Sequence, residues 1–143
     1  KTLRFRLRTP SGEEAGEAAD PTLVEAPFAA YSLPSLAAGF TEWKVAYYGG
    51  TGLITDYGFD DYLSELGNTT VAPRIDAAIA KIDATLTSIN TEANTTSLQD
   101  LLTNDLPVIQ QLTEDFQALI VLMRVDLSST IGVILTVTDA DGD

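Results

Sequence analysis

The chain has 143 residues, a length that suits one compact domain or part of a larger protein, and it contains no Cys and no His. Its net charge of −13, from 21 acidic and 8 basic residues, opposes binding to phosphate backbones and to anionic membrane surfaces. Without thiolate or imidazole, an ordinary zinc site and Ser-His-Asp or Cys-His catalysis are excluded, and no apolar run approaches the ~20 residues of a membrane span. A hydrophobic fraction of 45% is enough for a sizeable core, so the acidic balance reads first as solubility, with cationic partners or metal ions left open.

At the N-terminus, Leu3, Phe5 and Leu7 alternate with Arg4, Arg6 and Arg8. Period-two alternation with a basic outer face predicts a short edge strand. Residues 9–22, with Pro10, Gly12, Gly16, Pro21 and the acids Glu13, Glu14, Glu17 and Asp20, read as a loop. Leu23 to Tyr31 is apolar but broken by Pro27, which predicts extended chain or one helical turn. Ser32 reads as an N-cap for a helix whose stripe is Leu33, Leu36, Phe40, Trp43 and Tyr47, ended by Gly49-Gly50. Trp43 and the Tyr47-Tyr48 pair could stack on a ligand, although the spacing of Trp43 and Tyr47 favours core packing; Tyr48 lies off the stripe.

Gly50 to Gly58 is a glycine-rich connector without the lysine of a phosphate cradle. Phe59 to Leu66 predicts a short helix with Asp60 and Asp61 at the positive end of its dipole, closed by Gly67. From Val71, the stripe Ile75, Ile79, Ile82, Leu86 and Ile89 predicts a long helix that tolerates Pro73 in its first turn. After a polar stretch from Asn90 to Ser97 comes a short segment with Leu98, Leu101 and Leu102. Asn104 or Asp105 then caps a second long helix with the stripe Ile109, Leu112, Phe116, Leu119, Met123 and Leu127. Residues 119–123, LIVLM, are apolar nearly all round and so must meet more than one neighbour or a partner outside this chain. Ile131 to Val137 is rich in β-branched residues and reads as a terminal strand that could pair with residues 1–8.

Few motifs carry chemistry. The ending Asp139-Ala140-Asp141-Gly142-Asp143 supplies only part of a calcium ligand set, since its glycine is fourth and no bidentate Glu follows. Asn68 and Asn94 head Asn-X-Thr sequences in predicted loops. Glu13, Glu14 and Glu17 could offer metal oxygens, but such a loop is ordinarily solvated. Ser11 has no base to activate it, and no carboxylate pair stands out as an acid/base dyad. No catalytic residue is assigned, and no cofactor-binding or metal-binding residue can be named from the sequence.

The order of the pieces carries more than any one of them. TPSGEEAG with LVEAPFAAYSL, then GFDDYLSELGN, a helix of the RIDAAIAKIDATLTSI type, a second long helix and the ending IGVILTVTDADGD together resemble the C-terminal part of imelysin-like proteins. That bacterial envelope family includes insulin-cleaving membrane proteases and iron-regulated proteins. The resemblance covers most of residues 23–143. It implies two packed helical-bundle halves with a ligand or metal site near their junction. It also implies export to the periplasm or outer membrane, commonly as a lipoprotein, and a link to iron uptake. The family's Gly-X-His-X-X-Glu motif belongs to the N-terminal half, and with no His here no catalytic residue carries over.

The fold expectation is mainly α, a bundle of about four helices with a small two-stranded element from the termini. Residues 1–143 are expected to form the C-terminal half of such a protein, with 1–22 a strand and loop lead-in. The expected partner is the N-terminal half or a second chain, with iron or another divalent metal held jointly and no cofactor held by this chain alone. The alternatives are a fragment of a metallopeptidase and a purely structural or interaction bundle; for this chain itself the reading leans away from an enzyme.

Overall fold

The computed structural model describes residues 3–25, 28, 30–51, 56–92 and 97–132. The chain is mainly α-helical. Among the described residues the α-helices are α1 (Ser32–Tyr48), α2 (Phe59–Glu65), α3 (Val71–Glu92), α4 (Leu98–Asn104), α5 (Leu106–Val121) and α6 (Ser128–Ile131), and there is no strand. α3 and α5 pack against each other and form the centre, α1 and α2 close one side, and α4 folds back on α5.

The two long helices follow the sequence periodicity. Ile75, Ile79, Ile82, Leu86 and Ile89 of α3 are all buried, as are Ile109, Leu112 and Leu119 of α5. Hydrophobic burial along both stripes is what holds a bundle of this size together. Polar ties fix how the helices sit. Lys44 Nζ lies 2.7 Å from Asp83 Oδ1 and joins α1 to α3. Arg74 Nη1 lies 2.8 Å from Asp126 Oδ2, beyond the end of α5. The local start signals differ in detail: the Ser97 hydroxyl and Asp100 cap α4 reciprocally, while Asp105 precedes α5 without a side-chain cap bond. Ser32, expected as an N-cap, is instead the first residue of α1, and Tyr31 holds the cap position.

The predicted N-terminal strand is corrected: Arg4–Arg8 forms a turn of π-helix. Its Thr9 amide donates to the Arg4 carbonyl at 2.8 Å, so the backbone is satisfied locally. Helical winding puts Leu3 and Leu7 on one side, with Leu7 fully buried, and leaves Phe5 exposed. It also gathers the three Arg side chains onto nearby acids, Arg4 and Arg8 onto Glu14 and Arg6 onto Glu25. Alternation over so few residues is ambiguous, because positions four apart also share a helical face. The expected two-stranded element therefore has no first strand. Of the expected second strand, Ile131 ends α6 and Gly132 turns with a φ of 68°; Val133 to Val137 lie outside the described residues.

Residues Leu122–Leu127 are also π-helical and join α5 to α6 in one continuous helical rod. The buried position steps from Leu122 to Leu127, five residues on, in keeping with the wider π turn. The LIVLM segment is thereby divided. Leu119 and Leu122 face the core of this chain, and Ile120 and Val121, with Val125 further on, are exposed.

Candidate functional site

The end of α1, the start of α2 and the second turn of α3 meet in one place. The meeting is tight because the chain returns on itself there. A Cβ on Gly58 would stand 2.1 Å from the Tyr48 carbonyl carbon, and one on Gly49 would stand 2.2 Å from the Tyr57 carbonyl oxygen. Gly49 also has a φ of 78°, which suits glycine. The Gly58 amide donates to Asp61 Oδ2 at 3.1 Å, which starts α2 immediately after the crossing. These two glycines let Asp60 be delivered beside the Tyr47-Tyr48 pair.

Four polar side chains gather at this crossing. The Tyr48 hydroxyl donates to Asp76 Oδ1 at 2.9 Å. Tyr47 is only 3% exposed and Asp60 only 8% exposed. The Tyr47 hydroxyl and Asp60 Oδ1 are buried without a hydrogen-bond partner among the described residues. Burial pushes the carboxyls of both Asp60 and Asp76 above the usual range, and for Asp60 the neighbouring charges of Asp61 and Asp76 add to the shift. Burial likewise raises the phenols of Tyr47 and Tyr48, with the Asp76 and Asp60 charges contributing. The result is a desolvated corner in which burial disfavours the charged form of both carboxyls and the phenols stay protonated.

Tyr47 also lines a cleft of about 240 Å³. Its walls are Trp43, Ala46 and Tyr47 of α1, Phe59 of α2, and Met123, Leu127 and Ile131 of the rod. The π segment supplies two of these residues, as π turns often do at sites. Phe40, Trp43 and Tyr47 stack along α1, with Phe40 and Trp43 centroids 5.8 Å apart and Trp43 and Tyr47 centroids 5.5 Å apart. Apolar concavities are the usual form of a small-ligand site, and Tyr47 is the one titratable side chain in the lining of this one.

The residues singled out from the sequence divide clearly. Trp43 and Tyr47 pack against the core, as their spacing predicts, and also line the cleft. Tyr48 is buried and bonds across to α3. Arg4, Arg6 and Arg8 are engaged by Glu14 and Glu25, so Glu14 serves an ion pair. Glu13 stands apart from those pairs, with its carboxyl raised mainly by burial. Ser11 donates to the Arg8 carbonyl at 3.2 Å. Asn68 Nδ2, the atom that glycosylation would modify, donates to Thr130 Oγ1 at 2.7 Å. Asn94 and the DADGD tail lie outside the described residues.

Sequence reading missed Asp76 altogether and took Asp60 only as a dipole partner. Their signal was weak: an acid directly beside the buried Ile75, and a Tyr off the stripe of α1. Among the described residues no group of three or more His, Cys, Asp or Glu is placed to hold a metal ion. No helix among them is long and apolar enough to cross a membrane. No family model matches the chain, and no curated protein or solved structure shows significant similarity to it.

Proposed function

We propose that this chain is a non-catalytic helical module of an imelysin-like cell-envelope protein, contributing scaffold and one wall of a ligand or metal cleft linked to iron uptake. The observation that carries the reading is the cleft at Tyr47, open to one side and apolar along the walls this chain provides. A second half, or a second chain, supplies the opposite wall and the nitrogen ligands that a chain without His cannot offer. The module works in the periplasm or at the outer membrane, as part of an exported protein or lipoprotein.

Native purification followed by intact-mass and metal analysis tests this. A stably associated, His-containing polypeptide together with bound iron or another divalent metal is the expected result. A lone, folded, metal-free chain of 15.3 kDa would overturn the shared-cleft reading. That result would favour a second reading, a purely structural or interaction bundle, for which the exposed Ile120, Val121 and Val125 on the rod speak.

A further inference from the structure

We propose that the exposed stripe Phe59, Tyr62 and Leu66 of α2 docks an amphipathic helix of a partner chain that carries apolar anchors beside Lys or Arg. The inference rests on the reading that a second half or chain completes the Tyr47 cleft, and it names the chemistry of the segment that docks there.

Phe59, Tyr62 and Leu66 step by three and four and so share one face of α2. They are 44%, 46% and 49% exposed, while Asp60 and Leu63 turn into the core of this chain. The stripe is thus a second apolar face that the fold leaves uncovered. The rings of Phe59 and Tyr62 meet edge to face, with centroids 6.3 Å apart. Phe59 also lines the cleft and so joins the stripe to it. An exposed apolar surface with a polar rim marks an interaction site, and anchors at helical spacing are how one helix seats against another.

Charge selects the occupant. Asp61 and Glu65, four positions apart, share the neighbouring face of α2 and form an acidic edge to the stripe. The Tyr57 hydroxyl donates to Glu65 Oε1 at 2.7 Å and holds that carboxylate in place. Between Lys44 and Arg74 the sequence has no basic residue. Those two are engaged elsewhere, Lys44 by Asp83 and Arg74 by Asp126. On the rod, Arg124 is outnumbered by Glu114, Asp115 and Asp126. A second copy presenting the same face would set Asp61 and Glu65 against their own counterparts. An anionic membrane surface is repelled in the same way. A basic, apolar helix suits both parts of the surface: its anchors cover the stripe and its cations meet the acidic edge.

Fluorescence anisotropy of labelled helical peptides of about 14 residues tests this on the full chain. The probes share one Leu stripe at helical spacing and carry Lys, Gln or Glu at the remaining positions. Saturable binding of the Lys peptide is expected, roughly tenfold tighter than the Gln peptide and with the Glu peptide weakest. Tyr62→Ser combined with Leu66→Ser should weaken the Lys peptide roughly tenfold. Ile120→Ser combined with Val121→Ser, on the exposed side of the rod, should leave it unchanged. All four side chains are exposed, and circular dichroism checks that helix content is kept. Glu65→Gln, which spares the stripe, should narrow the preference for Lys over Gln. Equal losses in the two double variants, or none in either, would overturn α2 as the docking face and leave attraction to the net charge of −13. Equal binding of the Lys and Gln peptides would overturn the basic partner. No binding of any peptide would overturn the inference as a whole, whereas the shared-cleft reading is decided separately, by the second polypeptide in native purification.

Discussion

The hydroxyl of Tyr48 donates to Asp76 Oδ1 at 2.9 Å across 28 residues of chain and ties the end of α1 to the second turn of α3. The bond gives a partly buried carboxylate a partner, and breaking it leaves that carboxylate short of one. Tyr48→Phe should therefore lower stability by about 1–3 kcal/mol, the usual cost of stranding a buried polar group. Urea denaturation measures it. A loss within ~0.5 kcal/mol would mean that water replaces the hydroxyl without cost.

Gly58 and Gly67 offer a matched pair of substitutions. At Gly58 an added Cβ runs into the Tyr48 carbonyl, whereas at Gly67 it meets nothing and faces only the strain of a φ of 74°. Gly67→Ala should cost roughly 1–2 kcal/mol, the penalty for a left-handed alanine. Gly58→Ala should cost more than that, because the backbone crossing must open. Thermal melts of the two variants side by side would refute the crossing if Gly58→Ala were the milder.

Leu112 is fully buried in the middle of α5. Leu112→Ala should leave a cavity worth about 2–5 kcal/mol. A loss below ~0.5 kcal/mol in chemical denaturation would contradict the central packing of α5 on α3.

The pH dependence follows from the raised carboxyls of Asp60 and Asp76, whose ordinary value is 3.8. A folded-state pKa above the unfolded one means that the folded state binds more protons in the window between them. Stability contributed by these groups therefore falls as pH rises through that window and is regained as pH drops back toward 3.8. Melting temperatures from pH 7 downward should show the unaltered chain gaining relative to Asp60→Asn until other carboxylates protonate. An unchanged difference between the two proteins across that range would show that Asp60 does not titrate abnormally.

The helical class and the core were legible in the sequence, because spacing of three and four fixes which residues share a helical face. The stripes of α3 and α5 and the ends of α1 at Gly49 and of α2 near Gly67 follow from local signals acting over a few residues, whereas Leu98–Asn104, read only as a short segment, is the helix α4. The same reasoning failed at residues 4–8, where alternation and helical spacing coincide and nearby Glu14 and Glu25 decide for the π turn. It also could not foresee the π stretch at 122–127, which turns Val125 outward and sets Leu127 in the cleft.

What only the tertiary structure decided is the site. Asp60 and Asp76 sit 16 positions apart on different helices, and neither spacing nor composition ties them to Tyr47 and Tyr48. Their meeting depends on the backbone crossing at Gly49 and Gly58 and on the packing of α3 against α1, both non-local. Periodicity records which side of a helix is buried. Which polar groups are buried together depends on how the helices are docked, and that is a property of the whole packed chain.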